Sequence, residues 1–305
     1  MFIVASNEAP VCVVTNTRCV QRSSFLFGAA AVPLAWPSPT LAGIERDTGG
    51  RLGVFAIDTG SGKTIAHRAD ERFPMCSTFK LLLVAAVLAR VDRGQEQLDR
   101  HVAYTKAQLL SHAPISEKHV GDGYMTIGAL CAAAIDYSDN TAANLLLATI
   151  GGPPGYTAYV RSLGDVVTRL DRTELALNTC IPGDPRDTTA PSATVSDMRR
   201  VLAGSALSGA SRARLITLLK NNTTGGTRLR AGLPGSWIVG DKTGTGLRNN
   251  AHGDSDTAND IAIAWPPNRP PILIGAYLTE CKLAASQREA ALASVGRLVG
   301  TTFNS

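Results

Sequence analysis

The chain has 305 residues, of which 44% are hydrophobic and 18% are charged. This is enough apolar material for one large domain or two modest domains, and it excludes a disordered or fibrous protein. The formal net charge is +5, but the basic residues are scattered and form no dense run, so we do not expect nucleic-acid binding.

Residues 1–42 have the pattern of an export signal. Arg18 and Arg22 precede the apolar stretch 25–36, and a segment rich in proline and small residues follows it. The strongest uninterrupted apolar run, residues 81–89, is nine residues long, whereas a membrane helix needs about 18. We therefore expect a periplasmic or secreted protein without a membrane span.

Four of the six cysteines would remain after removal of this signal. They are Cys76, Cys131, Cys180 and Cys281. No Cys-x-x-Cys pair and no zinc-like His/Cys spacing occurs, so neither a metal nor a cofactor is expected. A core of this size does not depend on disulfides, and we expect free, mostly buried thiols.

The first predicted elements form a hairpin. Residues 51–58 and 64–67 have strand character and flank a Gly-rich turn. The turn ends in Gly-Lys-Thr like a phosphate-binding loop, but Ile57 stands where that loop needs its first glycine. A strand also follows where a helix would be required, so the hairpin is the better interpretation.

The middle of the chain is predicted to be helical. Apolar residues recur with helical spacing in residues 81–88, 127–135 and 141–150. Residues 171–191 are polar, contain prolines and show no periodicity. Long ordered loops of this kind are usually functional.

The C-terminal part returns to strands and ends in a helix. Three strands are predicted at 237–241, 261–265 and 272–278, and a closing helix around 292–299. With the hairpin, this pattern predicts an α+β fold: a five-stranded antiparallel sheet built from both ends of the chain, covered by terminal helices, with an all-helical domain inserted. The sheet domain would comprise residues 43–67 and 221–305, and the helical domain residues 68–220.

Residues 77–80 read Ser-Thr-Phe-Lys at the start of a predicted helix. The Ser77 hydroxyl and the Lys80 amine then lie on one helical face. The helix N-terminus offers free N–H groups to an oxyanion, and apolar surroundings can lower the pKa of Lys80 until it acts as a base. Alone the motif is weak, because on the order of one occurs by chance in a chain of this length. A capping serine and a surface lysine are the simpler explanation.

Two further motifs favour the catalytic interpretation of Ser77 and Lys80 over the simpler one. Residues 138–140 read Ser-Asp-Asn between two predicted helices, and residues 242–244 read Lys-Thr-Gly after a predicted strand. In isolation these would be a helix N-cap and a strand-end turn. All three motifs in this order are the signature of class A β-lactamases and penicillin-binding proteins.

Residues 43–305 resemble the class A serine β-lactamases, whose fold is the β-lactamase/transpeptidase-like one. The matching stretches are residues 73–80, 138–147, 241–246 and 172–189. The last of these is similar to the family's omega loop, here residues 172–187, which an ion pair between Arg172 and Asp187 would close. The resemblance implies hydrolysis of the β-lactam amide of penicillins and cephalosporins through a serine acyl-enzyme, giving antibiotic resistance.

The resemblance also implies catalytic roles. Ser77 would be the nucleophile, and either Lys80 or Glu174 would activate it. Ser138 would pass a proton to the leaving nitrogen. Glu174 and Asn178 would hold the water that attacks the acyl-enzyme, with Glu174 as general base.

The substrate is expected to be a small β-lactam molecule bound by a monomer. Lys242, Thr243 and Arg228 would bind its carboxylate, and backbone N–H groups of Ser77 and Thr245 would form the oxyanion hole. The residues expected to contact substrate are Asn140, Lys242, Thr243, Gly244, Thr245, Arg228 and His112. His112 stands where many family members carry an aromatic residue at the mouth of the cleft.

The resemblance bears on the cysteines as well. Val84 occupies the position at which some members have a cysteine that pairs with the equivalent of Cys131. Gly246 replaces the cysteine that certain carbapenem-hydrolysing members pair with the equivalent of Cys76. We therefore expect Cys76 and Cys131 to be unbridged.

Other functions fit less well. A D,D-peptidase or another penicillin-binding protein shares the first three motifs, but Glu174 and Asn178 argue against it. A β-lactam sensor domain that stays acylated should have a membrane span and lack the deacylating glutamate. A Ser-His-Asp hydrolase is poorer still, because no Gly-x-Ser-x-Gly occurs.

Export can be tested directly. N-terminal sequencing of the secreted protein should find a mature chain that begins near Gly43, because the small-residue segment before it is the expected cleavage site. A full-length product retained in the cytoplasm would contradict this prediction.

Overall fold

The computed structural model describes residues 40–304. Its helices are α1 (Leu41–Thr48), α2 (Phe79–Asp92), α3 (Ser116–His119), α4 (Ile127–Asp136), α5 (Asn140–Thr149), α6 (Gly152–Ser162), α7 (Pro191–Leu202), α8 (Gly209–Asn221), α9 (Leu229–Gly232) and α10 (Ala285–Phe303). Its strands are β1 (Arg51–Asp58), β2 (Thr64–His67), β3 (Phe73–Pro74), β4 (His101–Ala103), β5 (Tyr124–Thr126), β6 (Thr188–Thr189), β7 (Ile238–Thr245), β8 (Ala258–Trp265) and β9 (Ile272–Thr279).

The main sheet has five antiparallel strands in the order β2-β1-β9-β8-β7. The N-terminal hairpin thus pairs with the C-terminal strand, as in the register Val54 to Ala276. The predicted α+β fold with a sheet assembled from both ends of the chain is confirmed. Short pairs β3-β6 and β4-β5 lie outside this sheet.

The last strand predicted before the Lys-Thr-Gly motif is longer than expected. Strand β7 continues through Thr245, and Lys242 pairs with Ile261 of β8. The strand-end turn considered for residues 242–244 is therefore wrong. Because β7 is an edge strand of the sheet, its outer side is free to face the start of α2.

Two hydrophobic cores lie on the two faces of the sheet. Alternate residues of β8 divide between them: Ile261 and Ile263 belong to the core shared with the helical segment, whereas Ala262 and Ala264 belong to the core beneath α1, α9 and α10. Side chains of a strand point alternately to opposite faces, so a strand buried on both faces is apolar throughout.

Helix α2 lies in the middle of the first core. Each of its first eleven residues, 79–89, is buried. A helix that is buried all round has no polar face, and this explains the continuous apolar run in the sequence. The segment just before it, residues 76–78, is therefore held by the most buried helix of this core.

Helix α1 bears on the predicted cleavage site. The Thr40 side chain caps this helix by accepting a hydrogen bond from the Gly43 N–H at 3.0 Å, and Leu41 is buried. Cleavage after Ala42 would remove both residues. The remainder of the predicted export signal lies outside the described residues. Within residues 40–304, no helix is both long and apolar enough to cross a membrane.

Candidate active site

The turn that carries Ser77 is a single 3-10 turn, Cys76–Thr78, that leads directly into α2. The Thr78 hydroxyl donates to the carbonyl of Met75 at 2.7 Å. From β8, the side-chain amide of Asn259 donates to the carbonyls of Pro74 and Met75 at 2.8 and 3.1 Å. The turn is thus fixed both by the buried helix and by an interior strand of the sheet.

Strand β7 passes very close to this turn at Gly244. A Cβ atom on Gly244 would lie 2.8 Å from the Met75 carbonyl oxygen and 3.1 Å from the Cys76 Cβ. Backbone carbonyls cannot yield as a flexible side chain can, so the position requires glycine. This close approach explains the glycine of the Lys-Thr-Gly motif.

Lys80 lies one helical turn after Ser77 and is completely buried. Its Nζ donates to the Ser138 carbonyl at 2.8 Å and to the Asn140 Oδ1 at 2.7 Å, and it lies 3.0 Å from the Glu174 Oε1. Burial lowers the pKa of Lys80 from its usual value, and the Glu174 carboxylate opposes that shift. The structure therefore brings the first and second motifs together around one amine.

The Ser-Asp-Asn motif forms the start of α5. The Asp139 carboxylate caps the helix by accepting from the Ala142 N–H at 2.9 Å, and it also accepts from the backbone and hydroxyl of Ser116. This is the N-cap expected from the sequence. The cap fixes the backbone so that the side chains of Ser138 and Asn140 both reach Lys80.

The loop 172–187 is closed as the sequence resemblance implies. The Arg172 Nε lies 2.5 Å from the Asp187 Oδ2, and the other oxygen of Asp187 accepts from the N–H groups of Asp171 and Arg172. Such charge-assisted hydrogen bonds are stronger than neutral ones. They join the two ends of the loop and fix its path across the start of α2.

Glu174 is positioned by α5 as well as by its own loop. Asn144 accepts from the Glu174 N–H and donates to the Glu174 carbonyl, both at 2.9 Å. The carboxylate accepts from the Ser77 hydroxyl at 3.4 Å and from the Asn178 amide at 2.5 Å. The Asn178 Oδ1 is buried and has no hydrogen-bond partner within the described part of the chain, so it can accept a hydrogen bond from a water molecule.

Lys242 is a second completely buried lysine. Its Nζ donates to the Ser138 hydroxyl and to the Thr243 carbonyl, both at 3.0 Å. Burial, reinforced by the nearby Lys80 charge, lowers the pKa of Lys242 to about 7. The Ser138 hydroxyl therefore lies between two amines, which suits it to passing a proton.

Arg228, the N-cap residue of α9, approaches the same strand. Its guanidinium donates to the Gly244 carbonyl and to the Thr245 hydroxyl, both at 2.8 Å. It also lies 3.4 Å from the Glu289 carboxylate. The structure places this arginine at the end of β7, beside the other residues expected to bind a carboxylate.

These residues surround a cavity of about 350 Å³. Its lining includes the predicted residues Ser77, His112, Ser138, Asn140, Asn178, Arg228, Thr243, Gly244 and Thr245. Lys80, Glu174 and Lys242 are buried next to it. His112 is exposed at the mouth, where its Nε2 lies 3.0 Å from the Tyr137 carbonyl oxygen.

Three further residues of the site were not singled out from the sequence. Thr224 lines the cavity and its hydroxyl is 2.5 Å from that of Thr243. The Ser111 backbone carbonyl accepts from the Asn140 side-chain amide at 2.9 Å. Asn144 lay inside a quoted motif, but its helical position alone gave no sign that it holds Glu174.

The combination of groups suits nucleophilic acyl transfer. A half-buried hydroxyl lies beside a carboxylate, a second hydroxyl lies between two amines, and cations border the cavity. Among residues 40–304, no group of three His, Cys, Asp or Glu side chains converges as metal ligands would. The geometry alone thus describes a serine hydrolase site.

Comparison with known proteins gives a consistent result. A model of the family described as "Beta-lactamase enzyme family" matches residues 38–303. Beta-lactamase Toho-1 of Escherichia coli is 46% identical over 92% of this chain and 98% of its own length. The carbapenem-hydrolyzing beta-lactamase KPC of Klebsiella oxytoca is 47% identical over 89% of this chain and 90% of its own. The solved structure of an ancestral class A beta-lactamase is 58% identical, with a TM-score of 0.83, and the match covers 87% of this chain and 99% of that one.

The close approach at Gly244 can be tested by a matched pair of substitutions. Gly244→Ala should lower the free energy of unfolding by about 1–3 kcal/mol, because the added methyl group overlaps the backbone carbonyl oxygen of Met75. Gly235→Ala is the control, since nothing lies within 4 Å of its Cβ position, and it should change that free energy by less than about 1 kcal/mol. Urea denaturation of both variants measures the difference. Equal stability of the two would contradict the proposed packing.

Proposed function

The chain belongs to the β-lactamase enzyme family, and we propose how its side chains divide the reaction between them. It is a class A serine β-lactamase that hydrolyses the β-lactam amide bond and thereby gives resistance to these antibiotics. The observation that carries the assignment of residues is the hydrogen bond of the Ser77 hydroxyl to the Glu174 carboxylate, itself 3.0 Å from Lys80.

In acylation, the Ser77 Oγ attacks the lactam carbonyl carbon and becomes esterified as the carbon–nitrogen bond breaks. The Ser77 hydroxyl donates to Glu174, whereas the Lys80 amine donates to Ser138 and Asn140 and pairs with Glu174. This supports Glu174 as the base that takes the serine proton. Lys80 lies 3.0 Å from Glu174 and donates to the Ser138 hydroxyl, so it relays this proton from Glu174 to Ser138. Ser138 delivers its own proton to the leaving nitrogen, and Glu174 is left ionised for the second step.

In deacylation, a water molecule attacks the ester carbonyl and releases Ser77. Glu174 is the general base for this water, and the unpartnered Oδ1 of Asn178 accepts its second hydrogen. The same carboxylate thus serves both steps. Backbone N–H groups of Ser77 and Thr245 form the oxyanion hole that stabilises the negative charge in each tetrahedral intermediate.

The substrate carboxylate binds at the end of the cavity formed by β7 and α9. Lys242 and Arg228 supply positive charge there, and the hydroxyls of Thr243 and Thr245 supply hydrogen bonds. Asn140 and Gly244 border the other parts of the substrate, and His112 lies at the entrance. The substrate is a small β-lactam molecule.

We also propose the location, oligomeric state and domain organisation of the enzyme. The enzyme acts as a monomer in the periplasm or outside the cell, after residues 1–42 have directed its export. The sheet domain, residues 43–67 and 221–305, and the helical domain, residues 68–220, meet at the active site. The location of the cavity between β7, α5 and the omega loop supports this division.

Removal of Glu174 should separate the two chemical steps. In Glu174→Ala, hydrolysis of the acyl-enzyme should slow by about 10²–10⁴-fold, since that is the usual loss when a general base is removed. Acylation should slow as well, because Glu174 also takes the serine proton, but it should slow less than deacylation because Lys80 remains beside Ser77 as an alternative base. Rapid-mixing experiments with a chromogenic cephalosporin should therefore show a slowed burst of about one equivalent followed by a much slower steady state. Mass spectrometry of the protein should find the accumulated adduct.

Two controls make this test decisive. Ser77→Ala should form no adduct, because the nucleophilic oxygen is absent. Glu174→Gln keeps the size of the side chain and a hydrogen bond to Asn178, so it should fold even if the alanine variant does not. It should show the same slow second step. An unchanged steady-state rate in both Glu174 variants would refute the role assigned to the omega loop.

The lowered pKa of Lys242 predicts the pH dependence of substrate capture. Lys242 loses its positive charge as the pH rises through about 7, so kcat/KM should fall above that pH. Lys242→Arg keeps its charge at all relevant pH values and should lack this fall. Steady-state rates of both proteins from pH 5 to about 10 test the prediction. A parallel alkaline fall in the arginine variant would assign it to another group.

A further inference from the structure

Two cysteines that the proposed mechanism does not use lie against each other beside the active site. The sulfur atoms of Cys76 and Cys180 are 3.4 Å apart, although the residues are separated by 104 positions in the sequence. Both are buried and free. Cys76 directly precedes the nucleophile Ser77, and Cys180 lies two residues after Asn178 in the omega loop.

The neighbourhood of Gly246 explains how this pair comes about. A Cβ atom on Gly246 would lie 2.6 Å from the Cys180 sulfur. The sulfur of Cys180 therefore fills the space that a side chain at position 246 would need. Gly246 removes the partner that Cys76 would have in some family members, but the Cys180 sulfur lies 3.4 Å from the Cys76 sulfur instead.

We propose that Cys76 and Cys180 form a disulfide when the protein meets a small disulfide oxidant, and that this bond ties the omega loop to the nucleophile turn. A sulfur–sulfur bond is about 2.05 Å long, so the two atoms need to approach each other by roughly 1.3 Å. Both backbones lie in the left-handed region, with φ of 47° at Cys76 and 50° at Cys180.

The two sulfurs differ in reactivity. The hydrogen bond with Cys76 lowers the pKa of Cys180, while the same hydrogen bond and burial raise the pKa of Cys76. Cys180 also lines a cavity of about 320 Å³ on the outer side of the omega loop, whereas Cys76 is completely buried. Cys180 is therefore the sulfur that an external reagent reaches first, as its thiolate.

The reaction is a balanced thiol–disulfide exchange. The Cys180 thiolate attacks one sulfur of the oxidant, breaks its sulfur–sulfur bond and expels a thiolate. Cys76 then loses its proton and attacks the Cys180 sulfur of the mixed disulfide, which expels the second thiolate. Two protein thiols are oxidised, and the oxidant takes up the two electrons and two protons as two small thiols.

The bond would not displace the residues that hold the hydrolytic water. The Asn178 carbonyl accepts hydrogen bonds from the Cys180 thiol at 3.2 Å and from the Leu247 N–H at 2.7 Å. Oxidation removes only the first of these. We therefore expect the bonded enzyme to remain active, with an omega loop that separates less easily from α2.

The test is residue-by-residue alkylation of the full chain. After incubation with oxidised glutathione, the protein is denatured without reductant, alkylated and digested. Peptide mapping should recover Cys76 and Cys180 in one cross-linked pair that lacks two hydrogens, while Cys131 and Cys281 are alkylated. In Cys131→Ala, the matched control, the cross-link should still form, and in Cys180→Ala Cys76 should be alkylated.

Two results would overturn the proposal. One is alkylation of both Cys76 and Cys180 in the oxidised wild type. The other is recovery of Cys180 joined to glutathione with Cys76 alkylated, because the second exchange would then have failed.

A second readout tests the consequence for the loop. Thermal inactivation of the oxidised wild type should be several-fold slower than that of the reduced wild type, and the two rates should coincide in Cys180→Ala. Equal rates in the wild type despite a mapped cross-link would refute the tie between the omega loop and the nucleophile turn. Hydrolysis by the reduced protein is measured alongside, so a failure here is distinct from a failure of the proposed mechanism.

Discussion

The ion pair between Lys80 and Glu174 joins the parts of the chain that build the active site. Both side chains are completely excluded from solvent, with 3.0 Å between the Lys80 Nζ and the Glu174 Oε1. A buried charge without its partner costs about 3–5 kcal/mol, so neither group can be left alone. Because Lys80 belongs to the central helix α2 and Glu174 to the omega loop, this requirement fixes the loop against the helix. Asn144 and the Arg172–Asp187 pair then set the direction from which Glu174 arrives.

A second lysine in the same buried region creates an electrostatic problem that shapes the site. Lys80 and Lys242 both donate to the Ser138 hydroxyl, at 3.4 and 3.0 Å, and each disfavours the charge of the other. The Glu174 carboxylate pairs with Lys80, whereas Asp241 and Asp260 only partly offset the repulsion at Lys242, so the pKa of Lys242 remains lowered. An anionic ligand relieves this repulsion, and the free enzyme is thereby prepared for a carboxylate before any substrate arrives.

Sequence patterns predicted the elements well wherever one periodicity prevailed. The hairpin, the apolar helix α2 and the last strands each carry a regular apolar pattern, and the assembly of one sheet from both ends of the chain followed from the placement of these strands. The end of β7 was missed because its polar residues Lys242 and Thr243 hide a strand whose outer side faces the active site rather than a core. The grouping of the three motifs came from the family resemblance and not from periodicity, since no local pattern indicates which distant residues meet. For the same reason, the contact between Cys76 and Cys180 and the role of Asn144 became visible only in three dimensions.

The two walls of the cleft are built with unequal rigidity. On one side, Asn259 fastens the nucleophile turn to β8, a strand with hydrogen-bonded neighbours on both edges, and α2 supports the turn from below. On the other side, the omega loop contributes only one short helical turn of its own, Ala176–Asn178, and relies on side-chain contacts at its neck and at Glu174. Strain imposed by a bulky ligand relaxes first where the backbone is least supported. Differences in the size of accepted substrates among enzymes of this architecture are therefore expected to originate in the loop wall, while the wall that carries the nucleophile keeps its geometry.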